Sequence, residues 1–164
     1  QVNPGFMNQI NFDRNRLFYQ VETLVFGEAQ KRALLPERII IGCSNFNQKI
    51  NNTFNNYLKK FNCPILKMKY ETAELTKIAI NLYLSSTISV TNSLDAICEK
   101  INANWFEIVN ALRLDKRIGK YAYLNPSLGI SGGNLERDIN SIITLNKRHK
   151  VDSDLFHSFL QVSL

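Results

Sequence analysis

Residues 71 to 101 contain neither glycine nor proline, and that gap decides most of what this chain can become. With no residue to break the hydrogen-bond ladder, the stretch propagates as one long helix, since each added residue contributes a bond once the first turn exists. Between Ile78 and Val90 the apolar residues point nearly all round, the pattern of a central pillar buried on most sides. Beyond it, Asn104 with Glu107 three residues on forms a capping-box pattern ahead of a stripe of Trp105, Ile108, Val109 and Leu112. The segment from Arg117 to Gly133 holds Pro126 and four of the seven glycines and reads as a loop. Leu135, Ile139, Ile142 and Ile143 then mark a third helix. Asp152 or Ser153 is placed to cap a fourth, with Leu155, Phe156, Phe159 and Leu160 on its apolar side.

The part before Tyr70 mixes signals. Leu17 to Val21 is aromatic and aliphatic, and Pro36 precedes Arg38-Ile-Ile-Ile-Gly42, a β-branched run that reads as a buried strand. Ser44 is a candidate cap for a helix from Asn47 to Phe61, with Ile50, Phe54, Tyr57, Leu58 and Phe61 at helical spacing. Strand character returns from Cys63 to Met68. Strand, helix, strand is a piece of an α/β layer too short to be a complete doubly wound sheet. The expected fold class is therefore mixed α/β and mostly helical.

A chain of 164 residues with 45% hydrophobic content is neither disordered nor collagen-like. Its longest apolar stretches, such as residues 78–84, fall short of the roughly 18 residues a membrane-spanning helix needs, so no membrane partner is expected. The chain opens on Gln1 rather than Met, which points to processing or excision. Twenty basic residues against fourteen acidic ones give +6, which favours an anionic partner. The densest basic run, Lys147 to Lys150, is short and no nucleic-acid motif accompanies it. A phosphorylated small molecule fits the charge as well as nucleic acid, which has only that charge behind it. Cys43, Cys63 and Cys98 form neither a disulfide framework nor a zinc pattern, so no metal is expected and a reducing cytoplasm is the expected compartment.

Candidate chemistry lies in three places. GISGGN, residues 129–134, leads straight into Leu135-Glu-Arg-Asp138; its glycines let backbone approach a ligand and the helix start favours an anion, although a plain flexible turn has the same composition. On the pillar, Glu74, Lys77 and Asn81 share a face, which suits either oxyanion stabilisation or a solvated Glu–Lys pair. Glu22 reads as a partly buried carboxylate in an apolar stretch, a base or else a helix-capping or ion-paired residue.

Taken in order, ETAELTKIAIN (71–81), ISVTNSLDAICEKINANWFEIVNALRLDKRIG (88–119) and YLNPSLGISGGNLERD (123–138) carry a resemblance. They resemble the central region of the UDP-glucose/GDP-mannose dehydrogenase family, with its AELxK-xxxN helix, DxRIG turn and GxGFGGSCFxKD loop. Upstream, QVNPGF is similar to the family's TVPPGT, and VETLVFG and PERIIIG to its NPEFLxEG and PDRIVIG. The resemblance implies a partial Rossmann-like segment followed by an all-α dimerisation domain like that of 6-phosphogluconate dehydrogenase. Residues 1–69 would end the NAD-binding domain, 70–146 form the helical domain, and 147–164 lead toward a nucleotide-binding domain. On that reading the chain is a fragment, inactive alone, and a homodimer through the 71–101 helix.

Residue by residue, the resemblance implies that Lys77 and Asn81 stabilise an oxyanion, that Asp138 positions water and the lysine, and that Glu22 is an acid/base. It implies substrate contacts at Thr23, Leu24, Arg117, Tyr123, Gly129 and Asn134, with Arg117 reaching a neighbouring subunit. Gln1, where the family has a threonine near the nicotinamide, and Arg137, in place of a lysine, would face the NAD cofactor. One departure changes the chemistry: Asn134 occupies the position of the family's nucleophilic cysteine. An amide forms no thioester, so oxidation of a UDP-hexose at its C6 hydroxymethyl would stop at a carbonyl, proceed through the hydrated aldehyde, or not occur. The rival expectation is a non-catalytic nucleotide-sugar-binding or assembly protein of the same fold.

Overall fold

A computed structural model describes residues 2–25, 27–130 and 133–162, and the chain divides into two compact units, 1–77 and 78–164. The first unit is built on a three-stranded sheet in the order β1 (Tyr19–Val21), β2 (Ile39–Cys43), β3 (Ile65–Lys69). β1 runs antiparallel to β2, with Tyr19 opposite Gly42, while β3 runs parallel to β2, with Ile39 opposite Ile65. All five residues of β2 are buried, which is why its sequence is a continuous apolar run with no alternation. One face of β2 packs Ile39, Ile41 and Cys43 against Leu58, Phe54 and Phe18. The other packs Ile40, with Val21, against Ala73.

Helix α2 (Asn52–Lys59) connects β2 to β3, and α1 (Ala29–Leu34) is a short helix with no buried residue. The cap of α2 is Asn51, whose side chain accepts from the Phe54 amide at 2.8 Å. Ser44 is not the cap; its amide and hydroxyl donate to the Gln48 side chain at 2.7 and 2.9 Å, holding the turn after β2. The helix begins later than its apolar spacing predicts because residues 44–51 are committed to that turn.

Helix α3 (Tyr70–Ile101) is the expected unbroken helix of 32 residues, about 48 Å long. It ends at Asn102, which takes a left-handed φ of 58° while the Ala103 amide bonds back to the Cys98 carbonyl. In the second unit follow α4 (Trp105–Leu114), α5 (Gly133–His149) and α6 (Asp154–Gln161). Asn104 caps α4 as expected, accepting from the Phe106 amide and donating to Glu107. Trp105, Val109, Cys98 and Leu124 form a core, and Ile139, Ile142 and Phe159 are buried where α5 and α6 pack. No helix among the described residues is long and apolar enough to cross a membrane.

Two expectations need correction here. The pillar is not enclosed on most sides, since Tyr83 and Val90 are 79% and 56% exposed; between Ile78 and Val90 its buried residues are Ile78, Asn81, Ser85 and Ser89. Leu155 is exposed while Phe159 is buried, because the face of α6 that meets α5 is narrower than its apolar content.

Gly42 sits where two elements touch. A Cβ there would stand 2.9 Å from the Ala73 Cβ and 3.2 Å from that of Tyr19. Gly42→Ala is expected to lower stability by about 1–3 kcal/mol, read as a shifted urea midpoint with an unchanged slope; an unchanged midpoint would show that the β2–α3 contact has room to spare.

Candidate functional site

The second unit brings Asn81 and Asp138 together. Both are buried, at 6% and 1% exposure, and the Asn81 Nδ2 donates to the Asp138 Oδ2 at 2.6 Å across 57 residues of sequence. The other carboxylate oxygen accepts from the Arg137 Nε at 3.2 Å. A buried carboxylate is retained only when its lone pairs are satisfied, and here an amide on α3 and a guanidinium on α5 both serve it. Asn134 lies one turn before Asp138 on α5 and is exposed. Lys77 lies one turn before Asn81 on α3 and is half-buried.

The loop from Tyr121 to Ser127 is pinned by side chains of α3 and α4. The Thr91 hydroxyl donates to the Tyr123 carbonyl at 3.0 Å, the Trp105 indole to the Leu124 carbonyl at 2.9 Å, and the Ser127 amide to the Asn92 side chain at 2.9 Å. Beside it is a cavity of about 220 Å³ lined by Ile88, Arg113, Tyr123, Asn125 and Ser127. Gly129 follows with φ of 102°, a conformation that a side chain would strain. Arg117 is 88% exposed and gripped by Asp115, whose carboxylate accepts from its Nε at 3.0 Å and its Nη2 at 2.5 Å. That guanidinium, with the Arg117 amide, holds the Asp115 carboxyl below its ordinary range, and Asp115 in turn raises Arg117.

In the first unit, Glu22, Thr23 and Leu24 line a second hollow of about 220 Å³ with Arg32, Arg38 and Tyr57. Glu22 is exposed rather than partly buried, because only Val21 of this stretch turns into the core. Glu74 is not half of a solvated pair with Lys77. It is fully buried, and its two oxygens accept from the Gly5 and Met7 amides at 2.6 and 2.8 Å. Sequence reasoning missed this role; the one available signal was an acid on the same helical face as the buried Ala73 and Ile78 neighbourhood. The expectations for Gln1, and for Ser131 and Gly132 within GISGGN, fall outside the described residues. No group of three His, Cys, Asp or Glu able to hold a metal ion is found among the described residues.

Asn81→Asp would set two carboxylates against each other in a buried site. Stability at pH 7 is expected to fall by roughly 3 kcal/mol, and the loss to shrink as the pH drops and the pair takes up a shared proton. Urea unfolding at pH 7 and pH 5 measures both; a pH-independent loss would mean that packing, not charge, is at stake. A carbon-detected titration is expected to find Asp115 below the normal aspartate range and to see it rise in Arg117→Ala.

The model of the UDP-glucose/GDP-mannose dehydrogenase family, central domain, matches residues 71–163. A UDP-glucose 6-dehydrogenase of Campylobacter jejuni is 33% identical over 133 residues, covering 80% of this chain and 34% of that protein. One from Bacillus subtilis is 30% identical over 127 residues, covering 77% and 28%. The solved structure of a UDP-glucose dehydrogenase from Pyrobaculum islandicum aligns with a TM-score of 0.79 at 27% identity, over 89% of this chain and 33% of that one. The chain thus spans about a third of the length of the relatives it matches. With the family model covering more than half of its residues, this chain belongs to the UDP-glucose/GDP-mannose dehydrogenase family.

Proposed function

We propose that this chain carries part of the active site of an NAD-dependent nucleotide-sugar dehydrogenase that oxidises the C6 hydroxymethyl of a UDP-hexose by a route without a thioester. The observation that carries the reading is the buried Asn81–Asp138 hydrogen bond, which fixes an amide and a carboxylate one helical turn from Lys77 and from Asn134 respectively. Residues 1–69 belong to the cofactor domain on this reading, 70–146 to the helical domain, and 147–164 lead on to the nucleotide domain; the activity belongs to a polypeptide that includes those further parts.

In the mechanism, Lys77 and Asn81 stabilise the negative charge that develops on the sugar oxygen. Glu22 takes the hydroxyl proton, its exposed carboxylate being open to pass it on to solvent. NAD supplies the hydride acceptor when bound; the half-exposed guanidinium of Arg137 is a fitting partner for its anionic part. Asp138 accepts hydrogen bonds and therefore orients Asn81 and a water. Thr23, Leu24, Tyr123 and Gly129 line the sugar nucleotide's path, and Arg117, held outward by Asp115, presents its remaining N–H groups to a diphosphate. In the second oxidation, water adds to the aldehyde where the family uses a thiol, and Asn134 holds the hydrate oxygen. The hydrate then loses a hydride and a proton to give the carboxylic acid.

The long helix supports a homodimer. Tyr83, Val90, Leu94, Ile97 and Ile101 recur at helical spacing and are all exposed in the isolated chain. Leu94→Asp with Ile97→Asp is expected to convert the dimer to monomer in sedimentation at micromolar concentration; a wild type that is already monomeric there would contradict the assembly.

A second reading rests on Asn134, which is no nucleophile: a non-catalytic nucleotide-sugar-binding protein. Incubating the full-length protein with NAD and a panel of nucleotide sugars separates the two. One or two NADH per sugar, with a carbonyl or a uronic acid identified by mass, supports the enzyme. Sugar binding with no NADH for any member supports the binding protein.

A further inference from the structure

A carboxylate at full burial is costly, and Glu74 sits at 0% exposure in the first turns of α3. An apolar side chain would pack the same face at no such cost, so the acid's structural effect lies in what its two oxygens hold. Oε2 accepts from the Gly5 amide at 2.6 Å and Oε1 from the Met7 amide at 2.8 Å, across 69 and 67 residues of sequence. Neighbouring bonds fasten the far side of the same strap: the Asn8 side chain donates to Glu71 at 2.5 Å, and Arg14 donates to the Met7 and Asn8 carbonyls at 3.0 and 2.7 Å. Glu74 provides the side-chain bond on Gly5, which has φ of 92° and open space where a Cβ would stand. The turn thus takes a conformation that its own backbone disfavours for most residues.

We propose that Glu74 is a positioning residue: its carboxylate clamps the Gly5–Met7 turn onto α3, one helical turn from Lys77, and thereby sets the backbone of that turn, within the cofactor domain, for NAD binding. This rests on the dehydrogenase reading above, which places residues 1–69 in the cofactor domain. The clamp acts through backbone amides and touches neither substrate nor cofactor.

The test uses the full-length protein with Glu74→Gln, which keeps the shape and leaves one acceptor oxygen for two amides. Hydrogen exchange of the peptide covering residues 3–9, measured without cofactor, is expected to quicken by at least about tenfold. The Kd for NAD is expected to rise about fivefold or more, while the Kd for the nucleotide sugar stays within about twofold and the far-UV spectrum is retained. Should Glu74→Gln fail to fold, Gly5→Ala attacks the same turn through its positive φ and is expected to give the same split; where both fold, the double variant is expected to be no worse than the poorer single one. Unchanged exchange overturns the clamp. Faster exchange with an unchanged Kd for NAD overturns the positioning role, leaving Glu74 a purely structural residue. A wild type that binds no NAD overturns the proposal together with the reading beneath it, and is told apart from failure of the clamp because exchange is read without cofactor.

Discussion

The unbroken hydrogen-bond ladder of α3 is the constraint on which every other feature depends. Its pitch fixes the spacing of Glu74, Lys77 and Asn81 along one face, and further on it supplies Thr91 and Asn92 to the loop that follows α4. A proline between these groups would remove a hydrogen bond of that ladder and kink the helix there. The buried residues of the helix are both apolar (Tyr70, Ala73, Ile78, Cys98) and polar (Glu74, Asn81, Ser85, Thr91), while Tyr83, Val90, Leu94 and Ile97 are exposed. The buried polar groups hold specific partners: the Glu74 carboxylate binds two backbone amides, and the Asn81 amide binds Asp138.

Buried polar groups serve the two units in different ways. Glu74 binds backbone, so it fixes a turn. Asp138 binds side chains, so it fixes an amide on one helix and a guanidinium on its own. The two donors fix the orientation of the Asp138 carboxylate. Asn134 lies one turn away on the same helix; on the proposed reading its amide stands where the family has a thiol, and the second oxidation would fall to water.

How much was legible in the sequence follows from how local each signal is. The helix α3, the buried strand β2, the Asn104 cap and the glycine-rich loop all announce themselves within a few residues, and each stands where its pattern placed it. Lys77, Asn81 and Asp138 came from a resemblance spread over three ordered motifs; of these, the structure itself joins Asn81 to Asp138. Long-range effects were not legible. Glu74 reads as a surface acid until the strap that covers it is known, and Glu22 reads as partly buried until β1 shows that only Val21 turns inward. Helix α1, six residues with no buried side chain, leaves no periodic trace, and Ser44 loses the capping role to Asn51 because Gln48 engages it first.

The central claim is that the polar groups of α3 stabilise developing charge on a bound sugar. The most direct measurement compares the rate of NADH formation by the full-length protein with that of its Lys77→Ala variant, alongside the Kd of each for the nucleotide sugar. The account predicts a loss of kcat of about 10²–10³ with the Kd changed by no more than a few-fold. Equal rates in the two proteins, or a loss that appears entirely in the Kd, would contradict it.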